Sequence, residues 1–171
     1  MIFINIGSNL ISTHGNRLKN LKHALDLIAF EKVKIINISS VFETPSYPNN
    51  KNPKFLNICA ELSTNNKPLL LLEKLKKIEK KMFRLNKLKN EPRICDIDLI
   101  DFNGKIINTE RLSLPHPRAH QRSFVLYPLK EICPNWRHPI LNKKIDFLIR
   151  NLNLKLRNEI TRVRESVIIK Q

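Results

Sequence analysis

The stretch "EPRICDIDLIDF", residues 91–102, reads as a strand whose apolar positions Ile94, Ile97, Leu99, Ile100 and Phe102 suit a core. It is interrupted by carboxylates at Asp96 and Asp98. Residues i and i+2 of a strand point the same way, so these two share a face while Ile97 and Leu99 take the other. An unpaired buried carboxylate is costly, and two side by side repel. A divalent cation relieves both costs, and Mg²⁺ favours one or two carboxylates completed by phosphate oxygens. An edge strand with a solvated polar face is the plainer alternative. The neighbourhood favours the metal: Lys87, Lys89 and Arg93 lie before or beside the pair, and Arg111, Arg118 and Arg122 follow on a later loop. Carboxylates for Mg²⁺ beside guanidinium groups for phosphate are the parts of phosphoryl-transfer chemistry.

Outward from this strand the pattern is mixed. Residues 2–6 read as a strand and "GSN" as a turn. Leu18, Leu21, Leu25 and Ile28 predict a helix over 17–29. Strands follow at 33–42 and 55–63, separated by the Pro- and Asn-rich "ETPSYPNNKNP". In "FLNICAEL", Leu56, Ile58, Ala60 and Leu62 share one face, and Phe55, Asn57 and Cys59 the other. Pro68 opens a helix over 68–85 with Leu71, Leu75, Ile78, Met82 and Leu85 on one stripe. Glu79 falls inside that apolar arc, either at its edge reaching solvent or a lysine, or held there for a purpose. Asn103-Gly104 is a hairpin signal, predicting that 106–109 return antiparallel to the acidic strand. Helical patterns follow at 125–132 and 143–152, and the tail, 153–171, fits a helix or a strand. Adjacent strands with helices between predict one α+β domain over 1–152 with a C-terminal extension.

Composition bounds the rest. The chain has 171 residues, 42% of them hydrophobic, and no run approaching the about 18 apolar residues of a membrane span. The N-terminal segment does not read as a signal peptide. Three widely spaced cysteines among apolar neighbours suit reduced core thiols and a cytoplasmic location. The net charge of +16 invites a nucleic-acid reading. Lysines are spread along the chain, however, and Asn and Ile are also abundant, as an AT-rich coding sequence would give. Aromatic residues for base stacking are few. With three glycines and no G-x-x-x-x-G-K-[ST], any phosphate site relies on metal and arginine.

"PRICDIDLI" resembles the P-R-x-x-D-[LIV]-D signature of 6-hydroxymethyl-7,8-dihydropterin pyrophosphokinases, enzymes of folate synthesis. "IGSNL", "FETPSY" with "FLN", a helix carrying "IE", "INTERLSLPHPR" and "RSFVLYPLKEI" follow the family's order over about residues 1–150. The resemblance implies a ferredoxin-like α+β fold with helices on both faces of a mixed or antiparallel sheet. It implies transfer of pyrophosphate from ATP to 6-hydroxymethyl-7,8-dihydropterin, releasing AMP, with two Mg²⁺ ions on Asp96 and Asp98. It places Thr44, Pro45, Tyr47, Phe55, Asn57, Asp96 and Phe124 around the pterin. Glu79, Arg84, Arg93, Leu99, Arg111, Ser113, His116 and Arg122 fall to ATP, with Arg84, Arg93 and the aspartates as the catalytic set. A monomer with no nucleic-acid or membrane partner is expected. Three positions depart from the family: Glu91 stands where a small residue precedes Pro-Arg, the loop before Arg93 is one residue shorter, and it has Asn90 for Trp and Asn86 or Lys87 for a second Arg. An RNA-binding sheet and an inactive relative are the competing readings.

Overall fold

The computed structural model describes residues 1–47, 49–82 and 92–167. The sequence-predicted site residue Arg84, and the departures at Asn86, Lys87, Asn90 and Glu91, lie outside the described residues.

The central sheet is built on β1 (Ile2–Ser8), flanked antiparallel by β4 (Phe55–Ser63) on one side and β5 (Asp96–Phe102) on the other. With β3 (Phe42–Thr44) and β8 (Thr161–Arg162), the order runs β5-β1-β4-β3-β8, and β2 (Lys34–Ile38) also pairs with β4. The 33–42 segment is therefore two strands, because the chain breaks before β3 (Phe42–Thr44) and both pieces pair with β4.

Strand alternation sorts the sheet into two apolar faces. Ile2, Ile4, Ile6, Leu56, Ile58, Ala60, Leu62, Ile97 and Leu99 pack under α1 (Arg17–Phe30) and α2 (Pro68–Lys81). Phe3, Cys59 and Ile100 pack under α3 (Ser123–Ile132) and α4 (Ile145–Arg150). The helices thus cover both faces of an antiparallel sheet, as expected. In α1 the buried stripe includes Leu21, Leu25 and Ile28, and Asn16 caps the helix by accepting from the Lys19 amide at 3.0 Å. Leu71, Leu75, Ile78 and Met82 are buried as their spacing predicts.

The hairpin prediction fails in an instructive way. Asn103 and Gly104 do adopt positive φ, 54° and 69°, as a tight turn requires. The returning segment then peels away: β6 (Ile107–Asn108) pairs with β7 (Ser113–Leu114) in a separate ribbon. The free edge of β5 is occupied by side chains of α2 at Ile97. Asp101, a third carboxylate in the strand that the sequence reading passed over, accepts from Gly104 N at 2.8 Å. Its other oxygen accepts the Trp136 indole N–H at 2.8 Å, so this buried charge is structural.

The tail takes both forms its sequence allowed. A short helix, α5 (Leu154–Asn158), precedes β8 (Thr161–Arg162), which pairs with β3. Val163 and Val167 pack against the main core.

Candidate functional site

Cross-strand register assembles the site. Gly7 is partnered by Asn57 on one side and Asp96 on the other, and Asn5 by Cys59 and Asp98. Partnered residues share a face, so Phe55, Asn57, Gly7, Asn5, Asp96 and Asp98 all look toward the α3 side. A Cβ on Gly7 would lie 3.0 Å from Asn57 Oδ1 and 3.4 Å from the Phe55 ring, so glycine is what lets these neighbours close over β1.

Each aspartate is matched by a guanidinium, and each guanidinium by a phenyl ring. Arg93 Nη1 lies 3.2 Å from Asp96 Oδ1, and its Cζ stands 5.9 Å from the Phe55 centroid. Arg122 Nη1 donates to Asp98 Oδ2 at 2.9 Å, and its Cζ stands 5.3 Å from the Phe124 centroid. His116 Nε2 is 3.7 Å from the same Asp98 oxygen, while its Nδ1 accepts from the Arg118 amide at 3.1 Å. Burial alone would push Asp98 up; His116, Arg122 and Lys76 together outweigh it and hold the carboxyl below its ordinary range. His116 itself is pushed down by burial, with Asp98 opposing and Arg122 reinforcing. Arg122 stands nearer to Asp98 than His116 does, at 2.9 Å against 3.7 Å.

Asn57 is buried and donates to Thr44 Oγ1 at 3.1 Å, joining two of the residues predicted for the pterin. Phe55 and Phe124 are half-buried. Pro45 is also half-buried, and Tyr47 is 81% exposed. Of the nucleotide set, Arg93, His116 and Arg122 converge on the aspartates. Arg111 pairs instead with Glu73 of α2, and Ser113 lies on the β6–β7 ribbon. The Leu99 side chain is 4% exposed inside the core, so only its main chain is available to a ligand.

Glu79 is 1% exposed, and its Oε1 accepts from Ile97 N at 2.6 Å and from Lys76 Nζ at 3.0 Å, at the edge of β5. A desolvated carboxylate needs such donors; burial pushes its pKa up, and Lys76 and the Ile97 amide oppose the shift.

Two further asparagines belong to the site without having been singled out in the sequence. Asn9, 2% exposed, accepts from Arg93 N at 2.6 Å and donates to Ser46 Oγ at 3.2 Å and Pro53 O at 3.1 Å. It fastens the arginine segment to the 46–53 loop. Asn5, with its amide nitrogen toward α3, donates to Phe124 O at 2.9 Å and Ile58 O at 3.2 Å. Pro128 lies four residues after Phe124 inside α3 and brings no N–H to that carbonyl, so Asn5 supplies the missing donor. "GSN" carried a turn signal only, and a Pro inside a helix was the available hint for Asn5.

A magnesium ion fits the donor set. Two partly exposed carboxylates stand on one strand face, and among the described residues no group of three or more His, Cys, Asp or Glu could hold a metal by itself. Mg²⁺ accepts this arrangement when phosphate oxygens and water fill the remaining positions.

Comparison with known proteins bears on the same residues. The sequence model of the family described as 7,8-dihydro-6-hydroxymethylpterin-pyrophosphokinase matches residues 3–134. The chain is 35% identical to 2-amino-4-hydroxy-6-hydroxymethyldihydropteridine pyrophosphokinase of Aquifex aeolicus, over 84% of this chain and 87% of that protein. It is 37% identical to the protein of the same name in Bacillus subtilis, over 77% of each. It is 35% identical to Folic acid synthesis protein fol1 of Pneumocystis carinii over 84% of this chain, but spans only 19% of that longer protein. The wild-type crystal structure of Plasmodium falciparum HPPK-DHPS superposes with a TM-score of 0.68 at 20% identity, covering 94% of this chain and 47% of that one. At that identity the likeness concerns the fold.

Proposed function

The chain belongs to the 7,8-dihydro-6-hydroxymethylpterin-pyrophosphokinase family, and from that premise we propose that it transfers the β,γ-pyrophosphoryl group of ATP to 6-hydroxymethyl-7,8-dihydropterin, in folate synthesis. The hydroxymethyl oxygen attacks the β-phosphorus, the bond from that phosphorus to the α,β-bridging oxygen breaks, and AMP leaves with the bridging oxygen. The hydroxyl proton passes to solvent or to a phosphate oxygen.

The observation that carries this reading is the paired arrangement Arg93–Asp96 and Arg122–Asp98 beside Phe55 and Phe124. Guanidinium groups suit phosphate as well as they suit carboxylate. Arg93 and Arg122 would turn from the carboxylates to phosphate oxygens of the bound triphosphate, and Asp96 and Asp98 would hold the cation. Two Mg²⁺ ions held there would supply neutralisation of the triphosphate and orientation of the substrate hydroxyl. Asn57 can donate to and accept from the pterin heterocycle, between the rings of Phe55 and Phe124. His116, whose Nδ1 accepts from the Arg118 amide, serves through Nε2 as a hydrogen-bond donor to phosphate, and Arg84 joins Arg93 in countering its charge. Nothing here requires a general base; positioning and charge compensation account for the rate.

We read a cytoplasmic location from three buried cysteines set among apolar neighbours; among the described residues no helix is long and apolar enough to cross a membrane. The test is nucleotide chromatography after incubation with ATP, Mg²⁺ and the pterin. Pterin-dependent AMP, abolished by EDTA, is the expected result. Failure to turn over, together with salt-steep RNA retention that survives EDTA, favours the RNA-binding reading instead.

A further inference from the structure

β5 is an edge strand, and an edge leaves alternate N–H and C=O groups without a strand partner. At Ile97, the residue between the two aspartates, both groups are taken by α2. Ile97 N donates to Glu79 Oε1 at 2.6 Å, and Ile97 O accepts from Lys76 Nζ at 2.9 Å. The two side chains are themselves paired, Lys76 Nζ to Glu79 Oε1 at 3.0 Å. One turn of helix thereby imitates the hydrogen-bonding edge of a neighbouring strand over one residue.

That residue is well chosen. Its outward N–H and C=O leave Asp96 and Asp98 to pair with β1 at Gly7 and Asn5, with both carboxylates turned to the α3 face. The backbone between the acids is thus held from both sides, by β1 and by α2. A single-sided edge strand can fray or slide, which would change the spacing of the carboxylates. Glu79 is 1% exposed while Lys76 keeps part of its side chain in solvent, so the grip is anchored in the core and reached from the site.

We propose that Lys76 and Glu79 are positioning residues: by holding both peptide groups of Ile97 they fix Asp96 and Asp98 in the geometry that receives the metal–triphosphate complex. The inference rests on the reading of the two aspartates as metal ligands, and it assigns no ligand contact to Lys76 or Glu79.

The test compares wild type with Lys76→Met, Lys76→Arg, Glu79→Ala, Glu79→Gln and, separately, Asp98→Ala. Mn²⁺ affinity is measured by electron paramagnetic resonance in the presence of a non-hydrolysable ATP analogue, and the Ile97 amide is followed by hydrogen exchange. Lys76→Met and Glu79→Ala are expected to weaken Mn²⁺ binding about tenfold, the usual cost of losing an outer-sphere partner. Turnover should fall with it, the pterin KM staying unchanged. Glu79→Ala should also speed exchange at Ile97 while leaving Ile58 protected. Glu79→Gln, which keeps an acceptor for Ile97 N–H, and Lys76→Arg, which keeps a charged donor, should restore most of the affinity. Unchanged Mn²⁺ affinity with a raised KM for ATP would overturn the proposal in favour of direct nucleotide contact. So would loss of thermal stability with Mn²⁺ affinity intact. If Asp98→Ala itself keeps full Mn²⁺ affinity, the metal reading fails rather than the clamp.

Discussion

Arg122 donates to Asp98 across 2.9 Å while its guanidinium lies over the Phe124 ring, so one arginine touches both the acidic strand and the wall of the proposed pterin slot. Arg93 stands in the same relation to Asp96 and Phe55. Both aspartates lie on β5, Phe55 opens β4, and Arg122 and Phe124 come from the start of α3. Substituting either arginine removes the ion pair to the carboxylate and the contact to the ring at once. Arg122→Ala is expected to lower turnover about a hundredfold, the scale of losing one preorganised charge donor, and to raise the pterin KM as well. Steady-state AMP release with each substrate varied in turn checks both effects.

Asp98→Ala should abolish transfer while circular dichroism and the thermal transition report a folded chain. Full activity with Mg²⁺ would mean that the metal is held elsewhere.

Asn57→Ala removes the donor to Thr44 Oγ1 and a polar contact proposed for the pterin. A hydrogen bond is worth about 1 kcal/mol net, and more where a buried partner is left unpaired. The pterin KM should therefore rise about tenfold with the ATP KM unmoved. An effect confined to ATP would contradict the pocket assignment.

Trp136→Phe leaves Asp101 Oδ2 buried without its indole donor. Urea unfolding should show a loss of about 1–3 kcal/mol, the cost of stranding a buried acceptor, with the kinetic constants little changed. A stability equal to wild type would show that Asp101 finds another donor.

His138 supplies a pH dependence distant from the aspartate pair. It is 3% exposed, and its Nδ1 accepts from Ile140 N at 3.3 Å and Leu141 N at 3.2 Å, which requires that nitrogen to be unprotonated. Burial pushes its pKa below the ordinary imidazole value, with His120 adding to the shift and Asp101 opposing it. The unfolded chain therefore takes up the proton first. Stability should be full above the ordinary value of about 6.5 and should fall as the pH drops from there toward the folded-state pKa. Urea midpoints between pH 8 and 5, with His138→Gln as the comparison, measure it. The variant should show a flatter profile over that range.

Much of this was legible in the sequence because it rests on periodicity. The split of Leu56, Ile58, Ala60 and Leu62 from Asn57 and Cys59, and the stripe from Leu71 to Met82, follow from side-chain direction alone. The pairing of Asp96 with Asp98 on one face was legible for the same reason. What escaped depends on tertiary competition. Asn103-Gly104 makes its turn, yet the returning chain pairs with β7 instead of β5, and on that edge the Ile100 carbonyl accepts from His116 N. Asn9 and Asn5 carry no periodic signal, and their roles exist only once the 46–53 loop and the Phe124 carbonyl are brought beside them. Asp101 is out of phase with Asp96 and Asp98 in sequence, and a register shift in β5 places it opposite Phe3, where it accepts from Trp136.

The central claim is that a pyrophosphoryl group moves intact. Mass spectrometry of the pterin product, formed with ATP and Mg²⁺, tests it most directly. A pterin carrying two phosphoryl units, in amounts equal to the AMP released, is the predicted result; a pterin carrying one, with ADP, would contradict it.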